Sequence, residues 1–408
     1  MSTEVSFIHA ADLHLDSPFK GLAHVPDQLF KEIRESTFKA LENLVSTAIV
    51  KQVDFVILVG DLFDNERQSL KAQVKLKKAF EELGRHHINV YLSYGNHDFI
   101  KGNIHPITYP SNVFVFSREE VDHFTYIKGG QPLANIYGFS YENRAVKQKK
   151  VSEYKIKDPN VPYHIAMLHG SIASNTEHDL YAPFQLGDLM QEHFSYWALG
   201  HIHKREVLKF KPPVVYPGNI QGRSRKESAE KGCYHVRLTE TNMQTDFIPL
   251  QAIQFNSISV DLSHCKEIHE AEAYIRSEIA ENDQLDVPQL LDLTIQGNTE
   301  KLKQWKNEQL LEDVIEIINE SFIETKIWSY VYRYQISISE QDAFRSYEGE
   351  HFIGELTRQL KNASIATYIS ELYQHKDARK YMEKLSTEDI EEIKREAYDL
   401  LIHELLEK

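Results

Sequence analysis

The sequence predicts an α/β fold followed by a smaller α+β unit, on three observations. Over the first 250 residues, apolar runs alternate with amphipathic stretches; several runs end in clusters of Asp, His and Asn; and near residue 252 the order of elements changes. Val5–His9, Phe55–Val59, Val90–Tyr94, Asn135–Phe139, Tyr163–Leu168 and Trp197–Leu199 read as strands. Most are continuously apolar, which suits strands buried on both faces. Between the first two, Phe30, Ile33, Thr37, Leu41, Leu44 and Ala48 recur at spacings of three and four, predicting a helix near Phe30–Val50 with one apolar face. A second helix is expected at Leu70–Leu83. Strand–helix–strand alternation implies βαβ units and at least partly parallel sheets.

From Phe255 the order becomes strand, helix, strand, helix, strand, with strands at Ser257–Leu262, Leu290–Thr294 and Ser329–Ile338 and helices near Glu267–Ile279 and Gln309–Ile318. Beyond Ser339 the chain reads as helical and charged. Ile390, Ile393, Ala397, Leu400, Leu401 and Leu405 form an apolar stripe there. The expected division is therefore 1–252, 253–338 and 339–408.

Composition sets limits without choosing a partner. The chain has 408 residues, 41% of them hydrophobic, enough to bury more than one core. A net charge of −15 argues against a surface coated in base, yet leaves room for a local basic track beside bound metal. No apolar run is long enough to span a membrane, and the first, Val5 to Leu15, is interrupted by His9, Asp12 and His14, unlike a signal peptide. The only cysteines, Cys233 and Cys265, form no CxxC pair, so a reducing cytoplasm is the expected compartment.

The 20 histidines matter by position. Asp12 and His14 sit two apart at a strand end, and in extended backbone such residues share a side, so both could reach one ion. His201 and His203 repeat the spacing. Asp61 follows Val56-Ile57-Leu58-Val59-Gly60, and its two carboxylate oxygens could bridge two cations; Asn96 offers a carboxamide oxygen and His169 closes a strand. Ligand sites in α/β sheets lie beyond the carboxyl ends of strands, where these residues fall. One Asp-x-His arises by chance, and most lone histidines are packing residues. Five such elements in order, each at a strand end, point to a metal site. Imidazole, carboxylate and carboxamide without thiolate suit Mn²⁺, Fe²⁺ or Zn²⁺ rather than structural zinc or Ca²⁺.

Asp12-x-His14, Gly60-Asp61-x-x-Asp64, Gly95-Asn96-His97-Asp98, His169-Gly170 and Gly200-His201-x-His203 resemble the five motifs of calcineurin-like metallophosphoesterases. The run His9–Leu15 is similar to that of SbcD-type nuclease subunits, and His9–Phe19 with Tyr216–Arg223 most resembles the YhaO group of DNA repair exonucleases. The five motifs cover residues 12–203, about half the chain. The resemblance implies a four-layer αββα sandwich with two divalent metals at one edge, a capping domain and a helical C-terminal region. It assigns one metal to Asp12, His14, Asp61 and His203, and the other to Asp61, Asn96, His169 and His201. It makes His97 the residue that contacts the phosphate or protonates the leaving oxygen.

Asp98 follows as a candidate to orient the His97 imidazole, against a plain turn role. Asp64 stands where the archaeal nucleases are expected to carry a second His, so a supporting acidic role or a structural hydrogen bond is expected of it rather than ligation. Arg223, Arg225 and Lys226 form a basic loop that could hold a phosphate backbone, against a solvated loop. Phe19 and Tyr94 could stack on bases, with core packing the default. GDLFDNE at Gly60–Glu66 lacks the GDxVDRG of the protein-phosphatase branch. The expectation is a Mn²⁺-dependent DNA exonuclease, with a small-molecule phosphodiesterase or nucleotidase and a DNA-end scaffold as alternatives. Resemblance also implies a Rad50/SbcC-like ATPase partner docking through 339–408, where self-packing or a homodimer would explain the stripe equally well.

Overall fold

In the computed structural model the described residues are 4–337, apart from 23, 65–67, 103–106, 174–180, 283–285, 324 and 326, with scattered positions beyond 337. The helical expectation for 339–408 therefore falls largely outside them. The elements run β1 (Val5–Ala11), α1 (Asp27–Val50), β2 (Phe55–Val59), α2 (Leu70–Arg85), β3 (Asn89–Ser93), β4 (Val113–Val115), β5 (Asp122–Lys128), β6 (Gln131–Gly138), β7 (Tyr163–His169), β8 (Tyr196–Gly200), β9 (Glu206–Phe210), β10 (Pro213–Tyr216), β11 (Gly232–Leu238) and β12 (Met243–Pro249). They continue with β13 (Gln254–Asp261), α3 (Ile268–Asn282), β14 (Gln289–Gln296), α4 (Thr299–Asn307), α5 (Leu310–Ile323) and β15 (Ser329–Ile336). Two compact units result, one of residues 1–17 and 31–255, the other of 18–30 and the chain from Asn256 onward.

The first unit holds two six-stranded sheets, ordered β12-β11-β1-β2-β3-β4 and β5-β6-β7-β8-β10-β9. β1 to β4 pair in parallel, as do β6, β7, β8 and β10; β11, β12, β5 and β9 pair antiparallel at the margins. Every residue of β2 and β7 is buried, as expected of strands covered on both faces. Phe7, Phe55, Ile57 and Tyr91 meet Ile136, Ile165, Met167 and Tyr196 in the core between the sheets. Leu41, Leu44, Leu76 and Phe80 of α1 and α2 cover the outer face of the first sheet. Over the second sheet, the layer is built from loops and short 3₁₀ turns around Tyr141, Val151, Tyr154, Leu189 and Phe194.

Inside the second unit β13-β14-β15 form one sheet, with β14 and β15 parallel. Apolar residues of α3, α4 and α5, among them Ile275, Trp305, Leu311 and Ile318, pack with Leu291, Leu293 and Val331. Asn319 of α5 acts as a peptide group toward β15. Its Oδ1 accepts the Val331 N–H at 2.8 Å and its Nδ2 donates to the Val331 carbonyl at 3.0 Å. One buried amide thus satisfies two backbone groups on the sheet's terminal strand.

Candidate metal centre

The chemistry-bearing residues all lie at the carboxyl ends of strands in the first unit. Asp12 and His14 follow β1, Asp61 follows β2, Asn96 follows β3, His169 ends β7, and His201 and His203 follow β8. Both sheets contribute, and hydrogen bonds at this edge join them. The Asp12 carboxylate accepts the His201 N–H at 3.0 Å, and His169 Nδ1 donates to the Val59 carbonyl at 3.0 Å.

Extended backbone is not what brings Asp12 and His14 together. β1 ends at Ala11, and Asp12 and His14 have φ of +52° and +42°; Asp61 and His201 follow at +50° and +94°. Left-handed backbone at non-glycine residues costs free energy, so its concentration at four neighbouring site residues marks a place where packing overrides local preference. The turn is pinned by Asp12 N–H to Gly60 C=O at 3.2 Å, His14 N–H to Asp61 C=O at 3.0 Å and Leu15 N–H to Leu62 C=O at 3.0 Å. Gly60 is left-handed too, at +72°, and a Cβ there would strike the His169 ring.

Two groups of donors form. Asp12, His14 and His203 make one, Asp61, His169 and His201 the other, with ligand atoms within 4.8 Å of each other in each group. His201 and His203 thus separate, although the same i, i+2 spacing keeps Asp12 and His14 together. Asn96 Oδ1 stands 3.0 Å from His169 Nε2 and 3.1 Å from His201 Nδ1. Asp61 sits between the groups. Its Oδ2 is 3.4 Å from His169 Nε2 and 3.9 Å from His14 Nε2, while its Oδ1 accepts the His97 N–H at 2.9 Å. Asp61 Oδ2 thus faces both groups.

These residues fit a pair of cations. A carbonyl only accepts, so the His169 Nδ1 bonded to Val59 carries hydrogen and Nε2 is its lone-pair nitrogen, facing Asn96 Oδ1 and Asp61 Oδ2. His203 Nδ1 lies 2.7 Å from Glu227 Oε1, which likewise only accepts. That leaves His203 Nε2 as a lone pair 3.0 Å from His14 Nε2. The His169 lone pair beside Asn96 Oδ1 and Asp61 Oδ2 calls for positive charge between them. Electrostatics agree. Burial opposes a charged imidazole at His169, yet Asp61 and Asp12 outweigh it and raise its pKa to about 9. The carboxylates that hold a proton there would hold a cation. Burial, opposed by His169 and His203, lifts Asp12 to about 6. Burial and the Asp61 charge push Asp98 to about 7, whereas His169 and His97 hold Asp61 below its usual range despite its own burial.

The remaining candidates are placed differently from one another. His97 is half-buried, its ring 5.0 Å from that of His14, and its Nδ1 donates to the Asp64 carbonyl at 2.9 Å. Asp98 does not take up that ring: its Oδ1 accepts the Gly95 N–H at 2.7 Å and its Oδ2 the Leu62 N–H at 2.6 Å. Its side chain closes its own turn and ties that turn to the next loop, and the ring of His97 is oriented by a main-chain carbonyl instead. Arg223 points inward, bonded to Glu227 and Asp64, while Arg225 is half-buried and Lys226 exposed. Phe19 is buried, and Tyr94 packs on the core beneath α1 and α2. Glu227 is the residue that sequence reasoning missed, because it lies 24 residues beyond His203 in no recognisable spacing.

The chain resembles known proteins along its whole length. The calcineurin-like phosphoesterase family model matches residues 5–205. The metallophosphoesterase YhaO of Bacillus subtilis (strain 168) is 34% identical over 406 residues, 99% of each chain. More distant are the DNA double-strand break repair proteins Mre11 of Methanocaldococcus jannaschii and of Thermoplasma acidophilum. The first is 25% identical over 65% of this chain and 71% of its own length, the second 24% over 86% and 92%. With ligand groups at the strand ends that the family's motifs mark, and similarity over full length to one of its members, this chain belongs to the calcineurin-like metallophosphoesterases.

Proposed function

We propose that the chain is a two-metal phosphodiesterase acting on DNA, as an exonuclease in DNA repair. The observation that carries this reading is Asp61 Oδ2, which faces a histidine of each ligand group. Asp12, His14, Asp61 and His203 would hold one cation, and Asp61, Asn96, His169 and His201 the other. Two such cations supply Lewis-acid activation of a phosphodiester and of the water that attacks it. The mixed nitrogen and oxygen donors suit Mn²⁺, with Fe²⁺ and Zn²⁺ the alternatives.

His97 supplies the proton to the departing oxygen. Its Nδ1 is committed to the Asp64 carbonyl, so Nε2 is the nitrogen left to face the leaving group. Its main-chain N–H is fixed by Asp61, which ties the proton donor to the residue shared by both ligand groups.

DNA as substrate draws on the names of the Mre11 relatives and on local charge. Exposed Lys204 and Arg205 directly follow His203, and Lys226 is exposed near Glu227. A basic rim of this kind can contact phosphates despite a net charge of −15. A Rad50-like ATPase partner docking through 339–408 belongs to the same reading and rests on resemblance alone. Recovery of such a partner should fall when residues 340–408 are removed; unchanged recovery would sink that part.

The decisive experiment is a panel with Mn²⁺: single- and double-stranded DNA, RNA, cyclic nucleotides and a chromogenic phosphodiester. Cleavage of DNA that stops on chelation is expected. Hydrolysis of the small substrates only would move the assignment to a small-molecule phosphodiesterase.

A further inference from the structure

Behind one ligand group lies a second tier of charge. His203 Nδ1 donates to Glu227 Oε1 at 2.7 Å. Glu227 also accepts the Arg223 main-chain N–H and Asn219 Nδ2, each at 2.8 Å on Oε2. The Arg223 guanidinium spans two carboxylates. Nη2 donates to Glu227 Oε1 at 3.1 Å and Nη1 to Asp64 Oδ1 at 2.5 Å. That same Asp64 oxygen faces His14 Nδ1 at 3.6 Å. Arg223, Glu227 and Asp64 are only 17%, 13% and 15% exposed at their side chains.

The tautomer of His203 follows from charge. Arg223 Nη2 stands 3.1 Å from His203 Nδ1 and could donate to it. That arrangement would set the Nδ1 lone pair 2.7 Å from an anionic oxygen. The shorter contact is to the full negative charge, so Nδ1 carries the hydrogen and Nε2 faces His14. Both histidines of the Asp12–His14–His203 group therefore have a carboxylate behind the far nitrogen. His169, in the other group, hydrogen-bonds the neutral Val59 carbonyl there, with the Asp12 carboxylate farther off at 4.0 Å.

We infer that Glu227 and Asp64 are positioning residues for the Asp12–His14–His203 subsite alone, and that Arg223 is the cation allowing two carboxylates to be packed there. A carboxylate behind a metal-binding imidazole fixes its tautomer and raises its basicity, hence its affinity for a cation. Two carboxylates packed this closely would repel each other, and the shared guanidinium offsets that cost. The two subsites are consequently unequal: the far nitrogen of His203 hydrogen-bonds a carboxylate, and that of His169 a main-chain carbonyl. This inference rests on the two-metal reading above.

The test is calorimetric titration of metal-stripped full-length protein with Mn²⁺, comparing wild type, Glu227→Gln and Asp64→Asn, with the melting temperature of each metal-free protein. Wild type should bind two equivalents. Glu227→Gln should weaken one equivalent by roughly 10–100-fold and leave the other unchanged. Asp64→Asn should weaken the same equivalent less, because its oxygen lies 3.6 Å from His14 Nδ1, beyond a good hydrogen bond. Equal weakening of both equivalents together with a lowered melting temperature would reduce Glu227 to a loop brace and overturn the inference. Two unaltered equivalents in Glu227→Gln would overturn it while leaving the two-metal reading intact. Failure of wild type to take up two equivalents would end both. Should Glu227→Gln not fold, an unaltered Asp64→Asn titration overturns the inference by itself.

Discussion

The carboxylate of Asp98 accepts the main-chain N–H of Leu62 at 2.6 Å, joining the turn after β3 to the loop after β2. Its other oxygen accepts the Gly95 N–H at 2.7 Å. Asp98→Ala would leave two buried N–H groups without acceptors and should cost roughly 2–4 kcal/mol of stability. Urea melts of metal-free protein measure this directly. Activity should fall along with stability, because Asp61 and Asn96 both sit on the joined loops. Full stability with a large loss of turnover would instead give Asp98 a part in orienting His97.

His97 should show the opposite pattern. His97→Gln keeps the main-chain N–H to Asp61 and removes the ring nitrogen assigned to the leaving group. Turnover should drop by roughly 10²–10⁴-fold, with the number of bound metal ions and the melting temperature close to wild type. A phosphodiester with a leaving group acidic enough to depart without protonation should lose far less. Equal losses on good and poor leaving groups would remove the proton-donor role.

Residue order singled out the candidate ligands because each family motif is short and sits at the end of a buried strand. Phe55–Val59 was legible to the residue, since five consecutive apolar positions leave no other reading. Strands such as β5, with exposed and half-buried positions, carry too weak a pattern to be read in isolation. β11 was missed because its partner, β1, lies more than two hundred residues away and nothing local announces the pairing. The centre was legible as a ligand inventory, and illegible as geometry. Asp12 and His14 meet through left-handed turns that no spacing rule encodes. Arg223 reads as a solvent-facing base until Glu227 and Asp64 are seen to hold it. Of the stripe in 387–406, Ile390, Ile393 and Ala397 are helical and half-buried, and Leu400, Leu401 and Leu405 lie outside the described residues.

Gly60 offers a test of the left-handed turns. With φ at +72° and the His169 ring where a Cβ would project, Gly60→Ala must distort both the backbone and a ligand. Stability should fall by roughly 1–3 kcal/mol from conformational strain and overpacking. The sharper readout is the stabilisation by Mn²⁺. A site filled at one hundred times its Kd adds about 2.7 kcal/mol. The variant should lose that increment for the Asp61–His169–His201 group and a smaller share of it for the other, whose Asp12 is pinned by the Gly60 carbonyl. Thermal melts with and without Mn²⁺ would check this, and an undiminished metal-dependent gain would show that the turn tolerates a side chain.

His9 should make the protein acid-sensitive for a reason unconnected with metal. Its Nε2 lies 3.1 Å from the Leu199 carbonyl, which only accepts, so Nε2 carries hydrogen and Nδ1 accepts from the Tyr196 hydroxyl at 3.0 Å. The ring is held neutral between the two sheets. Burial, only partly opposed by the Leu199 hydrogen bond, lowers its pKa from 6.5 to about 3. The unfolded chain takes up a proton on this imidazole below pH 6.5, and the folded protein does not until about pH 3. Unfolded protein thus binds more protons across that window, and stability falls as pH falls through it. The total lost is on the order of 5 kcal/mol. In His9→Gln, where nothing titrates at this position, the dependence of unfolding free energy on pH between 6.5 and 4.5 should shrink by about one proton. Chelator in every sample removes any contribution from metal release. An identical pH slope in wild type and variant would mean that the imidazole is charged in the folded protein, and the neutral bridge to Tyr196 would have to be abandoned.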